Sequence, residues 1–173
     1  MIVARLALAL VILAAMVPEV SRYAAERRLY HASTVLRSVF AKPRAMANPG
    51  AAVAWAASVA GDAAGDLPGD WRPLNLAGSA LLLSRQPDRA LEKYREALTL
   101  GERPEIDLNV GRAYASLGRN DQATAAFLRA GWVSPGVLAS LPPSIGAALR
   151  SELSRLEQEL TSGRLAAPPA LPP

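Results

Sequence analysis

The sequence predicts an all-α protein that begins with a transmembrane helix, continues as a short solenoid of helical hairpins and ends with a capping helix. Three observations predict this fold class. The chain opens with a long apolar run, two later segments match each other at a spacing of 33 residues, and an amphipathic segment comes after them. A repeat of this length with two helices in each unit is typical of a helical solenoid. Pro and Gly lie between the segments, as expected of connecting turns.

Composition argues against several classes of function. Cys is absent and His31 is the only His, which rules out disulfides, thiolate ligands, Cys nucleophiles and multi-His metal sites. A net charge of +4 and an aromatic content of 5% argue against nucleic-acid binding. The sequence contains no recognisable nucleophile–base pair or phosphate-binding loop. We therefore expect a protein that is not an enzyme and that binds no metal, cofactor or nucleic acid.

The first segment, residues 1–18, is predicted to be a membrane anchor. Twelve uninterrupted apolar residues run from Leu6 to Val17, and residues 2–17 are apolar apart from Arg5. That length reaches the lower limit of about 17 residues for a membrane span if Arg5 extends to the headgroups. A cleaved signal peptide is the main alternative, although cleavage after Ala15 would place Leu13 where a small residue is preferred. A merely buried helix is the third reading.

Two rules disagree on the orientation of this anchor. Six basic residues and one acidic residue lie between positions 20 and 44, which favours a cytoplasmic location for the C-terminal domain. An apolar core directly after Arg5, with almost nothing before it, favours export. Because 17 of the 19 basic residues are Arg and Ala is abundant, we expect a GC-rich bacterial source. We expect a single-pass protein of the bacterial inner membrane with a periplasmic C-terminal domain.

Residues 19–70 are predicted to form an amphipathic helix and a degenerate helical hairpin. Pro18 marks the end of the apolar run, and a second helix is expected over residues 51–64, with Trp55 as its only large side chain. The first helix carries one apolar stripe. This stripe is expected to pack on a neighbouring helix of the chain, on anionic headgroups or on a partner helix. His31 is expected to face solvent or an interface. The apolar stripe consists of Ala25, Leu29, Ala32, Leu36 and Val39 or Phe40.

A turn-rich connector closes this region with three acidic residues, Asp62, Asp66 and Asp70. Their spacing of four does not match a calcium-binding EF-hand loop, in which ligands alternate every second residue. We therefore expect no metal site here. Residues 45–107 carry nine acidic and six basic residues, so this segment and the basic segment before it are expected either to attract each other or to attract separate partners.

Two helix–turn–helix units occupy residues 71–135. Within each, a Gly lies inside an apolar helical pattern, although Gly in a helix costs about 1 kcal/mol relative to Ala. Equivalent positions are Gly78 and Gly111, Leu81 and Tyr114, Ala90 and Ala123, Tyr94 and Phe127, and Ala97 and Ala130.

These positions resemble the tetratricopeptide repeat (TPR), in which small residues lie where two helices cross and an aromatic residue packs beside them. Pro135 stands where that family's terminal Pro lies, whereas the first unit delays its Pro to Pro104. The resemblance implies that Gly111 and Ala123 face each other with Phe127 beside them. Close packing then offsets the low helix propensity of Gly.

The resemblance also implies protein–protein recognition, because the first helix of each TPR unit lines a groove for an extended peptide or a partner helix. Asn109 matches an Asn that some members use to hold a peptide carboxylate, but Leu76 and Glu105 depart from that clamp. Asn75 and Asn109 are 34 residues apart, so they lie about 100° out of phase on their helices. The implied groove residues are Arg72, Asn75, Ser79 and Leu82 in the first unit and Glu105, Leu108, Asn109, Arg112 and Ser116 in the second.

Residues 136–162 contain the predicted capping helix, for which a coiled-coil seam is the alternative. Arg155 and Glu159 are placed to pair across one turn. Residues 163–173 form a Pro-rich tail, expected to be disordered or in polyproline II conformation. The stripe of the capping helix consists of Ile145, Leu149, Leu153, Leu156 and Leu160.

Together these features predict a membrane-anchored TPR scaffold or adaptor that joins protein partners in a bacterial envelope complex, such as a secretion, polysaccharide-export or respiratory assembly. The alternative is an exported, soluble peptide-binding or chaperone-like TPR protein released by signal cleavage.

Overall fold

The computed structural model describes residues 2–42 and 46–172, with side chains from residue 16 onward. Within these ranges the fold is all-α, and successive helices pack as antiparallel pairs. Seven α-helices and one 3-10 helix are present among the described residues. They are α1 (Ile2–Ala41), α2 (Pro49–Asp66), α3 (Trp71–Leu83), α4 (Pro87–Leu98), α5 (Pro104–Ser116), α6 (Asn120–Val133), the 3-10 helix (Pro135–Ser140) and α7 (Pro143–Thr161).

The chain divides into two compact units, Met1–Ala80 and Leu81–Pro173, with the boundary inside α3. In the first unit, α1 packs against α2. The predicted apolar stripe of α1 is buried, and Val39 rather than Phe40 completes it. Because α2 contributes mainly Ala and Val to this contact, the two helices interlock through small side chains. The buried residues of α2 are Ala56, Val59, Ala60 and Ala63.

Pro18, which marks the end of the apolar run, lies inside α1, because this helix continues through it as one element of 40 residues. A Pro in a helix interior removes a hydrogen bond and costs about 3 kcal/mol. The buried stripe from Ala25 to Val39 offsets this loss by packing on α2.

The predicted anchor over residues 2–17 lies largely outside the residues whose side chains are described. Among the described residues, no helix combines the length and the apolar character that a membrane span needs. The anchor therefore stays a prediction.

Polar contacts tie the acidic connector to α1 within the first unit. Arg28 Nη2 lies 3.5 Å from Asp66 Oδ2, and the Ser21 hydroxyl donates to Asp66 Oδ1 at 3.2 Å. Asp70 accepts the Arg72 backbone N–H at 2.8 Å and so caps the start of α3. These acidic residues are engaged with the chain itself, and the described residues contain no group of His, Asp or Glu suited to a metal ion.

In the second unit, α5 packs against both α4 and α6, and α6 packs against the 3-10 helix and α7. Pro87, Pro104 and Pro143 each occupy the first turn of a helix, where the missing N–H leaves no bond unmade. Gly118, with φ of +73°, forms the left-handed turn between α5 and α6. Of these residues, Pro104 and Gly118 lie at helix boundaries of the second predicted repeat.

Candidate functional site

Helices α5 and α6 approach each other closely at Gly111. A Cβ atom built on this residue would lie 2.5 Å from both Cδ1 and Cε1 of Phe127. That separation is too short for any side chain, so the ring of Phe127 occupies the space that Gly111 leaves. Phe127 itself is buried. The Gly inside the helix is therefore explained by the ring packed against it.

Two Tyr side chains fill the core beside this crossing. Tyr94 of α4 and Tyr114 of α5 are both fully buried. The guanidinium of Arg95 donates to the Tyr114 hydroxyl at 3.2 Å, which satisfies a buried polar group. Both Tyr residues thus have a packing role in the second unit.

The nine predicted groove residues differ widely in their accessibility. Glu105 and Ser116, near the two ends of α5, are exposed, and Arg72, Asn75 and Arg112 are half-buried. The remaining four are buried: Ser79, Leu82, Leu108 and Asn109.

Arg112 is engaged by the 3-10 helix. Its guanidinium donates to the Ser140 backbone oxygen at 3.2 Å, to the Ser140 hydroxyl at 3.0 Å and to Asn109 Oδ1 at 3.0 Å. Burial lowers the pKa of Arg112. The guanidinium nevertheless stays charged at neutral pH, because the pKa of Arg lies far above 7. Asn109 and Arg112 were both predicted to line a peptide-binding groove. In the structure they bond to each other, and Arg112 also binds Ser140 of the 3-10 helix after α6.

Arg72 is likewise held by its own unit. It forms two hydrogen bonds through Nε to the Asp70 carboxylate, at 2.8 and 3.0 Å, and its Nη2 lies 3.2 Å from Glu26 Oε1. Burial acts against ionisation of Asp70, yet the hydrogen bonds and charge of Arg72 hold the pKa of that carboxyl below its usual value. Arg72 thus links the start of α3 to the basic part of α1.

A polar cluster in the second unit was missed by the sequence reasoning. Glu102, in the turn before α5, pairs with Arg129 of α6, whose Nη2 donates to Glu102 Oε2 at 2.7 Å. Asp107 of α5 is fully buried, and its oxygens accept no hydrogen bond from the described residues. Burial raises the pKa of Asp107 to about 7, the charge of Glu102 and a side-chain hydrogen bond to it add to the shift, and the charge of Arg129 opposes it.

The C-terminal helix closes against α6 through a second Gly contact. A Cβ on Gly131 would lie 2.7 Å from Leu153 Cδ1 and 2.8 Å from Leu138 Cδ1. Leu149 and Leu153 of the predicted stripe are buried, whereas Ile145 is 45% exposed. The stripe is therefore narrower than expected. Its expected ion pair is present, since Arg155 Nη1 donates to Glu159 Oε1 at 2.7 Å.

The chain finds no match among protein-family models, curated proteins or solved structures. The molecule is an all-helical protein of sequentially packed helix pairs, compatible with a helical-repeat fold. Its particular function therefore has to be inferred from its own residues.

Proposed function

We propose that this chain is a membrane-anchored TPR scaffold or adaptor that mediates protein–protein interactions in a bacterial envelope complex. One observation carries the proposal. Helices α3 and α5 each span 13 residues and begin 33 residues apart, and α4 and α6 also begin 33 residues apart. The helix boundaries thus repeat with one period, as in solenoids that bind other proteins.

The surface of α5 is the proposed contact region in the second unit. Glu105 and Ser116 are exposed on this helix, so a partner reaches them without any rearrangement of the chain. Arg112 is expected to contribute less, because its guanidinium is committed to Ser140.

Membrane attachment is proposed for residues 2–17, which place the chain in the inner membrane with a periplasmic C-terminal domain. Support comes from the side chains at the end of this run and just beyond it on α1. Met16, Val17, Val20 and Tyr23 are 57%, 66%, 61% and 63% exposed, which is unusual for apolar groups in water and suits the edge of a bilayer. An envelope complex for secretion, polysaccharide export or respiration provides partners in that location.

Photo-crosslinking in native membranes tests the scaffold proposal. A crosslinking amino acid is placed at Glu105 or Ser116 of the full chain, and matched controls carry it at Glu92 of α4 and Asp121 of α6, which are also exposed. We expect one stoichiometric partner to be captured from the α5 positions and not from the controls. Equal capture from all four positions, or none, would contradict a binding role for α5.

The intact mass of the chain purified from native membranes tests the anchor. We expect a mass that retains Met1–Val17. A mass lacking this segment would instead identify the soluble, exported form of the protein.

A further inference from the structure

The C-terminal tail lies against the second unit. After α7 ends, the backbone N–H groups of Arg164 and Leu165 both donate to the Glu159 carbonyl, at 2.8 and 3.1 Å, and turn the chain. Arg129 Nη1 then donates to the Pro169 carbonyl at 3.1 Å. The side chains of Leu165, Pro169 and Leu171 are half-buried. This segment without helix thus contacts α6 through the Arg129 side chain.

The guanidinium of Arg129 is oriented so that one N–H group can bind a carbonyl group of such a segment. Two of its N–H groups are fixed by the Glu102 carboxylate, which orients the rigid guanidinium and leaves Nη1 directed at the tail. An extended Pro-rich chain has few N–H donors, and its carbonyl groups have no partner within the chain. A fixed N–H donor is therefore the chemical complement of a Pro-rich strand.

Asp107 adds a carboxyl group beside this ion pair. It is fully buried, and its oxygens accept no hydrogen bond from the described residues. Its raised pKa reflects burial, the charge of Glu102 and a side-chain hydrogen bond in which the protonated Asp107 donates to Glu102. Asp107 therefore contacts the carboxylate that orients Arg129.

We propose that Glu102 and Arg129 form a binding site for an extended, proline-rich peptide of a partner protein, and that residues 165–172 occupy this site in cis until the partner's peptide displaces them. The tail then acts as an intramolecular competitor of the partner's peptide. The proposal is independent of the membrane anchor and of the α5 contact region, so it survives or fails separately from the proposed function.

The connection between α7 and the site is short. Its length determines how strongly the tail competes with a partner's peptide for the site. A short flexible link gives an effective concentration on the order of 1 mM. For a peptide that binds the uncovered site with a Kd of about 0.1 mM, the cis tail weakens apparent binding about 10-fold.

The test uses the full chain in detergent and a fluorescein-labelled peptide with the sequence of residues 164–173, RLAAPPALPP. The site is uncovered in the full chain by the double substitution Pro169→Gly and Leu171→Ser. Fluorescence anisotropy is expected to show binding to this tail variant and about 10-fold weaker binding to the unaltered chain. Adding Arg129→Gln to the tail variant is expected to weaken binding at least 10-fold.

The matched control is Arg155→Gln in the same tail variant, because Arg155 is exposed and its ion pairs are with Glu152 and Glu159 of its own helix. It is expected to leave the affinity within 2-fold. If Arg129→Gln unfolds the chain, Arg129→Lys keeps the charge but loses the fork and is expected to weaken binding in the same direction. No binding to the folded tail variant, or equal binding by the Arg129 and Arg155 variants, overturns the proposal.

Discussion

Gly111 shows how a single residue fixes the approach of two helices. A Leu at this position must displace the ring of Phe127, which lies 2.5 Å from the added Cβ. Overpacking of this kind lowers the free energy of unfolding by about 1–3 kcal/mol. We therefore expect Gly111→Leu to lower the urea midpoint of the full chain in detergent.

The same substitution at Gly61 is the control, because nothing lies within 4 Å of a Cβ there and the residue is in the interior of α2. Leu is the better helix former, so Gly61→Leu is expected to leave stability unchanged or raise it. Equal loss at both positions would show that the Gly111 contact has no special role.

Asp107 makes the stability of the chain depend on pH. The native carboxyl has its pKa raised by burial from 3.8 to about 7, so the native state keeps a proton that the unfolded chain has already released. Stability from this group is complete below pH 3.8 and is lost as the pH rises through 7, by at most about 4 kcal/mol. Asp107→Asn cannot lose this proton and is expected to unfold later than wild type at pH 8.

Urea unfolding at pH 4.5 and pH 8 checks this expectation, with Asp121→Asn as an exposed control. The stabilisation by Asp107→Asn is expected at pH 8 and to shrink toward pH 4.5. A difference between the variant and wild type that does not change with pH would contradict the raised pKa.

Gly111 and Asp107 also show which contacts can be predicted from the sequence and which cannot. The contact of Gly111 with Phe127 can be inferred from a local pattern, since the spacing within one helical hairpin fixes which positions face each other. The meeting of Glu102, Asp107 and Arg129 cannot, because it requires the antiparallel return of α6 to bring position 129 beside the start of α5. An Asp inside the apolar run IDLNV was the only signal available.

At the scale of elements, Pro residues lie both at helix starts and, at Pro18, in a helix interior. Three helices of the second unit begin at a Pro, where local geometry alone decides. Pro18 lies inside α1. The helix continues because side chains from Ala25 to Val39 are buried, and the residues next to Pro18 give no information about that burial. The 3-10 helix was also unforeseen, because its place depends on a contact with Gly131 of α6.

That 3-10 helix is expected to hold the C-terminal elements together. Leu138 is fully buried, lies against Gly131 and offers its carbonyl oxygen close to Gly146 of α7. Leu138→Ala removes the side-chain contacts and is expected to lower the free energy of unfolding by about 2–5 kcal/mol. Ile145→Ala, at a position 45% exposed, is the control. A loss at Leu138 no larger than that at Ile145 in urea unfolding would contradict a locking role.

At the scale of the whole molecule, the proposed membrane anchor makes the location of the helical units a testable property. The chain has no Cys, so a single introduced thiol reports its own location. Asp121→Cys places that thiol on an exposed position of α6. If the units are periplasmic, as the order of Arg5 and the apolar run favours, a membrane-impermeant maleimide is expected to label it in intact spheroplasts. Ala113→Cys, which is fully buried, should react only after denaturation. Labelling of Asp121→Cys that requires lysis would place the units in the cytoplasm, where the basic flank after the anchor would hold them.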